Sequence, residues 1–234
     1  MKGLRHLRNR LLLNRNYTIP PGYYSQYGQD IFLTQELFPG KTCGFFVDIG
    51  AYDGVTLSNT YYLEKHLGWR GICFEPNPTP FAKLVKNRGA KCFNGAVSGA
   101  KGKSTLLKVT GYSEMLSGLI DAYDPRHSAR INNELSLFGG STQRIEVTCY
   151  DLNEVLSDQG VRHVDYLTVD TEGSELEIIK SIDFNRFDIQ SISVENNYES
   201  NQFEKYLRTK GFKLVAVVGI DEFYAKNTKS VADH

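Results

Sequence analysis

The segment Val47-Asp48-Ile49-Gly50-Ala51-Tyr52-Asp53-Gly54 ends an apolar run in a turn that holds two carboxylates and two glycines four residues apart. Glycine lets a backbone approach a ligand closely and supplies the left-handed geometry that leads a strand into a helix. A dinucleotide turn would need G-x-G-x-x-G, with a pyrophosphate on the following helix N-terminus. Tyr52 and Val55 stand where its second and third glycines belong, and Asp48 and Asp53 make a poor cradle for phosphate. Such a turn suits a cationic ligand.

Farther on, Phe74-Glu75-Pro76-Asn77 places a carboxylate 25 residues past Gly50, at the end of the next apolar run. In open α/β sheets an acid near that position grips ribose, because a carboxylate accepts hydrogen bonds from both hydroxyls of the diol. An acidic first turn, a ribose acid and no phosphate loop together point to S-adenosylmethionine, which combines a ribose with a sulfonium and carries no phosphate.

Two more acids end apolar runs: Asp170 in DYLTVD and Glu195 in SISVE. If these runs are adjacent parallel strands, their backbones lie about 4.8 Å apart. The two carboxylates are then placed to share one divalent ion, with Asn196 and Glu172 as further oxygen ligands. An all-oxygen set suits Mg2+ or Mn2+ better than zinc. The simpler alternative is a direct base at Asp170, Glu172, Glu195 or His127 (in DPRHSAR), histidine having the best unperturbed pKa for proton transfer near neutrality. A lone loop histidine is more often exposed to solvent than catalytic. Ser174 and Glu177 have capping-box spacing, which keeps Glu177 out of the site, and Glu175 reads as a first-turn carboxylate.

Positioning these groups requires strands that end at one edge. The candidates are FFVDI (45–49), GICFE (71–75), KCFNGAV (91–97), DYLTVD (165–170), SISVE (191–195) and FKLVAVV (212–218). Several lack polar alternation, as strands covered by helices on both faces do. Helix-like stretches alternate with them (LSNTYYLEKHL, PTPFAKLVKNR, SELEIIKSI, NQFEKYLRTK), so the expected fold is α/β and doubly wound. TLLKV (105–109) and RIEVTCY (144–150) read as a β pair flanking an insertion of roughly 111–142 with an Asp124-Pro125 turn signal, expected to be a lid or a mobile surface segment. The insertion offers Tyr112, Ser113, Tyr123, Arg126, His127 and Arg130 as an acceptor wall.

The 234 residues favour one domain over 23–234, with residues 1–22 as a basic N-terminal helix or extension. Leu4, Leu7 and Leu11 have helical spacing there. That segment suits packing on its own domain or on a second copy in a homodimer; peripheral contact with an anionic membrane is the other reading. No apolar run is long enough for a signal peptide or a membrane span. A formal net charge of zero argues against a nucleic-acid partner. Four scattered cysteines without a CxxC pair suit a reducing, cytoplasmic setting.

With these residues assembled, the chain resembles the FkbM family of S-adenosylmethionine-dependent methyltransferases. The matching pieces are YSQYGQDIFL (24–33), FVDIGAYDGVTLSNTYYLEK (46–65), GWRGICFEPNP (68–78), AVSG (96–99) and VDYLTVDTEGSELEIIKSIDF (164–184). The resemblance implies a Rossmann-like class I methyltransferase, with a mostly parallel seven-stranded sheet whose last strand is antiparallel. It implies cofactor roles for Asp48, Gly50, Ala51, Tyr52 and Asp53 in the turn and for Glu75 and its neighbour Pro76 at the ribose. Ala96 and Val97, ending the third strand, fall at the adenine edge. Ser58 and Asn59 fall within reach of the methionine end. Tyr27-Gly28-Gln29-Asp30 matches an element expected to fold over the cofactor, although Asp30 also suits a plain helix N-terminus. Tyr52 is expected to border the methionine portion. The resemblance further implies O-methylation of a sugar hydroxyl, on a nucleotide sugar, a glycan or a glycosylated natural product, and analogy with metal-using sugar methyltransferases on this fold supports an ion at Asp170 and Glu195. N-methylation of an amine and a non-catalytic cofactor-binding scaffold are the competing functions.

Overall fold

Strands with no polar face to give to water must be covered on both sides, and the expected runs are. In the computed structural model, which describes residues 10–226, the chain runs β1 (Asn14–Arg15), α1 (Gln29–Phe32, continued by a π turn over Leu33–Leu37), β2 (Phe45–Ile49), α2 (Tyr61–Leu67), β3 (Arg70–Glu75), α3 (Pro78–Asn87), β4 (Lys91–Asn94) and β5 (Ala96–Val97). It continues through β6 (Gly102–Val109), β7 (Gly118–Leu119), α4 (Pro125–Phe138), β8 (Thr142–Tyr150), α5 (Leu152–Asp158), β9 (His163–Val169), α6 (Glu175–Ser181), β10 (Asp188–Glu195), α7 (Gln202–Thr209), β11 (Phe212–Val218) and β12 (Asp221–Lys226). Leu4 and Leu7 of the expected basic helix lie outside the described residues.

The main sheet has the order β1-β11-β12-β10-β9-β2-β3-β4. β4, β3, β2, β9 and β10 are parallel, and β12 is antiparallel to both its neighbours. The sheet has eight strands rather than seven because β1, drawn from the N-terminal segment, adds a short parallel edge to β11. Strand order reverses between β2 and β9, so a ligand crevice opens beyond their carboxyl ends.

Successive side chains of a strand point to opposite faces. Val47, Ile49, Leu167, Val169, Ile192 and Val194 therefore join one core with residues of α5, α6 and α7, including Leu156, Ile178 and Leu207. Phe46, Cys73, Tyr166 and Phe223 point the other way, onto Leu33, Leu63 and Leu84. Asp48, Thr168 and Ser193 share this second face. The same alternation carries it forward to Asp170 and Glu195, so the two strand-end acids project from one side of the sheet.

The expected third strand is split. β4 pairs with β3, whereas β5 leaves the main sheet and pairs with β8. Gly95 sits at the exit, where a Cβ would lie 2.6 Å from the Thr148 carbonyl oxygen and 2.6 Å from the Tyr150 ring. Ala96 and Val97 thus belong to a second sheet of order β5-β8-β6-β7. β6 and β8 form an antiparallel pair from Gly102↔Cys149 to Val109↔Thr142. The excursion between them is built rather than loose. Asp124 caps α4 by accepting from Arg126 N, with Pro125 in the first turn, and Val109, Leu116 and Ile131 form a small core of its own. At α6 the capping box does not form: the Ser174 side chain makes no cap bond, and Glu177 instead accepts from Gly99 N at 3.2 Å.

Candidate active site

A cavity of about 340 Å3 opens at the carboxyl ends of β2, β3, β9 and β10. Gly50 forms its floor with φ +92°, and a Cβ there would stand 1.7 Å from the Asp170 carbonyl oxygen. No other residue fits between these strand ends. Tyr52 follows with φ 49°, a left-handed conformation uncommon outside glycine. Its N–H donates to Glu75 Oε2 at 3.0 Å and its hydroxyl to Glu114 Oε2, in the insertion, at 2.8 Å. Glu75 accepts a second backbone bond from Asn77 N at 2.7 Å. Burial outweighs these two donors and, helped by repulsion from Glu114 and Asp48, raises the Glu75 pKa to about 7. Pro76, Ala96 and Val97 line the same cavity beside Phe74.

On its far wall stand Asp170, Glu172 and Glu195, whose nearest carboxylate oxygens lie within 4.8 Å of one another. β9 and β10 are adjacent and parallel in the register Val169↔Val194, and Glu195 faces Asp221 of β12 across the next ladder. Three strands thus present a row of acids. Asp170 opens into the cavity, yet desolvation by the surrounding protein and repulsion from Glu195, Asp221 and Glu175 raise its pKa well above the usual range. Glu172 and Glu195 are raised in the same way, by burial first and like charge second. Glu172 sits at φ 60°, and its buried Oε2 has no hydrogen-bond partner. Non-glycine residues in this region are strained, and such strain concentrates at functional sites.

A smaller space of about 70 Å3 adjoins the cavity and shares Gly50, Tyr52, Asp170 and Glu195 with it. Gln29, Asp48, Ala51, Ser58, Asn59 and Asp221 line it. Gln29 donates to Asp221 Oδ2 at 3.0 Å, tying the start of α1 to the last strand. Burial raises Asp221 to about 6, offset in part by that bond. Asn59 Oδ1 is buried without a partner.

The Methyltransferase FkbM domain matches residues 48–214. The chain belongs to this family. Among its relatives, Methyltransferase sdnD of Sordaria araneosa is 28% identical over 198 residues, covering 73% of this chain and 74% of that one. Methyltransferase 1 of Beauveria bassiana is 23% identical, with 79% of each chain covered. The crystal structure of methyltransferase FkbM from Methylobacillus flagellatus shares the fold, with a TM-score of 0.52 at 9% identity over 93% of this chain; the present chain spans 50% of that one. Membership places the chain among S-adenosylmethionine-dependent methyltransferases with a class I, Rossmann-like sheet.

Within this FkbM domain several expected site residues are placed differently. Asp48 lies within β2 on the face toward α2 and α3, so its carboxylate accepts from Thr60 Oγ1 and lies 3.9 Å from the fully buried Arg88. It borders only the smaller space. Asp53 is absent from the walls of both, because its carboxylate closes its own turn on Val55 N and Thr56 N. The Ser58 hydroxyl accepts from Tyr61 N at 3.1 Å and so starts α2. Asn196 spends its amide on Ser200 N and the Ser200 carbonyl at 2.8 and 2.9 Å, and Glu172 is the third carboxylate beside Asp170 and Glu195. His127 is buried on α4 rather than exposed on a loop. Its Nε2 lies 3.1 Å from the Leu116 carbonyl and its Nδ1 3.3 Å from Glu172 Oε2, and burial lowers its pKa. Asp30 serves its own loop by accepting from Tyr24 N and Ser25 N. Tyr112 points outward, its ring in tilted contact with Phe138.

Sequence reasoning missed Asn77, Glu114 and Asp221. Asn77 caps α3 through Oδ1, which leaves its buried Nδ2 unpaired at the cavity wall. The N-cap pattern Asn-Pro was the available signal. Glu114 and Asp221 reach the site through long-range folding and carried none.

Proposed function

We propose that this protein is an O-methyltransferase acting on a sugar hydroxyl. One observation carries the reading: the strand-end acids Asp170, Glu172 and Glu195 share a single cavity with Gly50, Tyr52 and Glu75. The donor set fits S-adenosylmethionine. Glu75 would take the ribose hydroxyls, the apolar strip of Phe74, Ala96 and Val97 the adenine, and Asn59 Oδ1 and Asp221 the ammonium of the methionine end. When bound, the cofactor supplies an electrophilic methyl whose transfer to an acceptor oxygen leaves S-adenosylhomocysteine and a proton.

The chain's own task is to orient the acceptor and take that proton. Three carboxylates within 4.8 Å resist full ionisation together, so an ionised member has its proton affinity raised toward neutrality by the others. That is the property required of a base for a weakly acidic hydroxyl, and an amine would not need it. The same oxygens fit Mg2+ or Mn2+, which would be held by Asp170, Glu172 and Glu195, since the three carboxylates offer an all-oxygen set within 4.8 Å of one another. An ion there would supply Lewis-acid polarisation of the hydroxyl. No helix of the described residues is long and apolar enough to cross a membrane, and the four cysteines are free, which suits a cytoplasmic enzyme.

The test is methyl transfer to alcohol and amine acceptors, with and without EDTA. Turnover of alcohols is expected; turnover of amines alone would overturn the reading. Full activity in EDTA would remove the ion and leave the base. Absence of S-adenosylhomocysteine binding by calorimetry would leave a scaffold without an enzyme.

A further inference from the structure

Positive charge is concentrated at one end of the chain. Residues 1–29 hold Lys2, Arg5, Arg8, Arg10 and Arg15 and no acid, the first being Asp30; the remainder carries all 27 acids against the other 22 bases. Residues 10–13 are helical and run directly into β1. Arg10, 9% exposed, is held by Glu222 of β12, which also accepts from the Tyr224 hydroxyl. β1 then pairs with β11 in the register Asn14↔Val217 and Arg15↔Val218. These contacts fix the direction in which the segment faces. Successive helical residues turn by about 100°, so burying Arg10 sends the next two side chains outward. Leu11 and Leu12 are 81% and 67% exposed, more than any other leucine, isoleucine or valine described.

We propose that this end of the chain is a membrane-surface site: Leu11 and Leu12 insert at the acyl boundary of an anionic bilayer, and the basic residues of the same segment meet its headgroups. The inference is independent of what the enzyme methylates.

The two leucines continue a row. Leu4 and Leu7 stand seven and four residues before Leu11, the spacing of one helical face, with Arg5 and Arg8 interleaved. Basic segments with an apolar face lie in the plane of a lipid interface, leucines down and long cationic side chains reaching up to the phosphates. Arg10 and Arg15 are already neutralised by Glu222 and Glu36, so the charge offered to lipid is that of Lys2, Arg5 and Arg8, which precede the described residues. The acidic remainder of the chain is repelled by the same surface, which leaves this end as the one that docks.

Charge also decides against a second copy as the occupant. A two-fold dimer through Leu11 and Leu12 would bring the same basic segment of both chains together, because an isologous interface sets like against like. Glu222 and Glu36, the acids that reach the segment, are already paired there. An anionic leaflet supplies the counter-charge that a twin lacks.

The experiment is co-sedimentation of the full chain with vesicles of phosphatidylcholine alone and of phosphatidylcholine with about 30% phosphatidylserine. Binding to the anionic vesicles is expected to be at least about tenfold tighter and to be lost in about 0.5 M NaCl. Leu11→Ser combined with Leu12→Ser should weaken it about tenfold or more. Arg5→Gln combined with Arg8→Gln should weaken it about 25-fold, each cation near such a surface being worth about fivefold. The leucine variant should keep the urea midpoint and S-adenosylhomocysteine affinity of the wild type, since both side chains stand in water. Equal binding to the two vesicles, binding to neither, or binding that survives the leucine substitutions overturns the inference. So does a dimer in sedimentation equilibrium that those substitutions convert to monomer, which would make a second copy the occupant.

Discussion

Replacing Glu75 by glutamine should change how stability and cofactor affinity depend on pH. Burial raises this carboxyl from 4.5 to about 7 in the folded chain. A raised acid binds its proton more tightly folded than unfolded, so its stabilising contribution is fully present below pH 4.5 and is lost as pH climbs through about 7. At 1.36 kcal/mol per unit, the swing is about 3 kcal/mol. Glutamine cannot titrate and cannot accept from both Tyr52 N and Asn77 N, so the variant carries a constant penalty instead of a pH-dependent one. Urea unfolding of the ligand-free proteins from pH 5 to 8 should show the wild type losing stability relative to Glu75→Gln as pH rises. Affinity runs the other way, because ribose hydroxyls need the ionised acceptor. S-adenosylhomocysteine, which has no sulfonium, should bind more tightly to the wild type as pH passes 7. It should bind Glu75→Gln about 10- to 100-fold more weakly and without that slope, the range expected for hydrogen bonds to a charged group. Parallel stability profiles together with equal pH dependence of binding would refute both the burial argument and the ribose role.

Gly50→Ala forces a Cβ to 1.7 Å from the Asp170 carbonyl at φ +92° and should cost about 3 kcal/mol or more in urea, with loss of cofactor binding by calorimetry. Tyr52→Phe removes the 2.8 Å bond to Glu114 and should weaken S-adenosylhomocysteine binding about fivefold, Tyr52→Ala more; unchanged affinity in both would reduce Tyr52 to packing. Arg88→Met leaves Asp48 and Glu64 buried without their cation and should lower stability by about 3–5 kcal/mol, read as a fall in the urea midpoint. Glu195→Gln should cut kcat at least about 100-fold while cofactor affinity stays within a few-fold, because it removes proton acceptance and not the ribose contact.

The parallel sheet was legible because apolar runs such as FFV, GICF and YLTV alternate with helix-like stretches, and the strand-end acids follow directly from where GICFE, DYLTVD and SISVE stop. Gly50, Tyr52, Glu75, Asp170 and Glu195, which line one cavity, stand at or just past those strand ends. Side-chain direction was less legible. Asp48 sits one pleat too early and turns to Arg88, and Asp53 and Ser58 have backbone donors close enough in sequence to satisfy them locally. Asn196 and Asn197 are adjacent, and only the loop geometry decides that Ser200 takes the first while the second faces the cavity. The departure of β5 from the main sheet depended on Gly95 meeting Thr148, a contact 53 residues distant in sequence. The burial of His127 depended on α4 folding over the site.

The insertion's private core of Val109, Leu116 and Ile131 lies apart from the two cores that hold the sheet. A segment that satisfies its own apolar side chains can be lengthened, rebuilt or exchanged so long as the Glu114 contact to Tyr52 and the His127 contact to Glu172 are kept. Relatives are therefore expected to diverge most in this stretch, and grafting it between them offers a direct route to transferring acceptor preference.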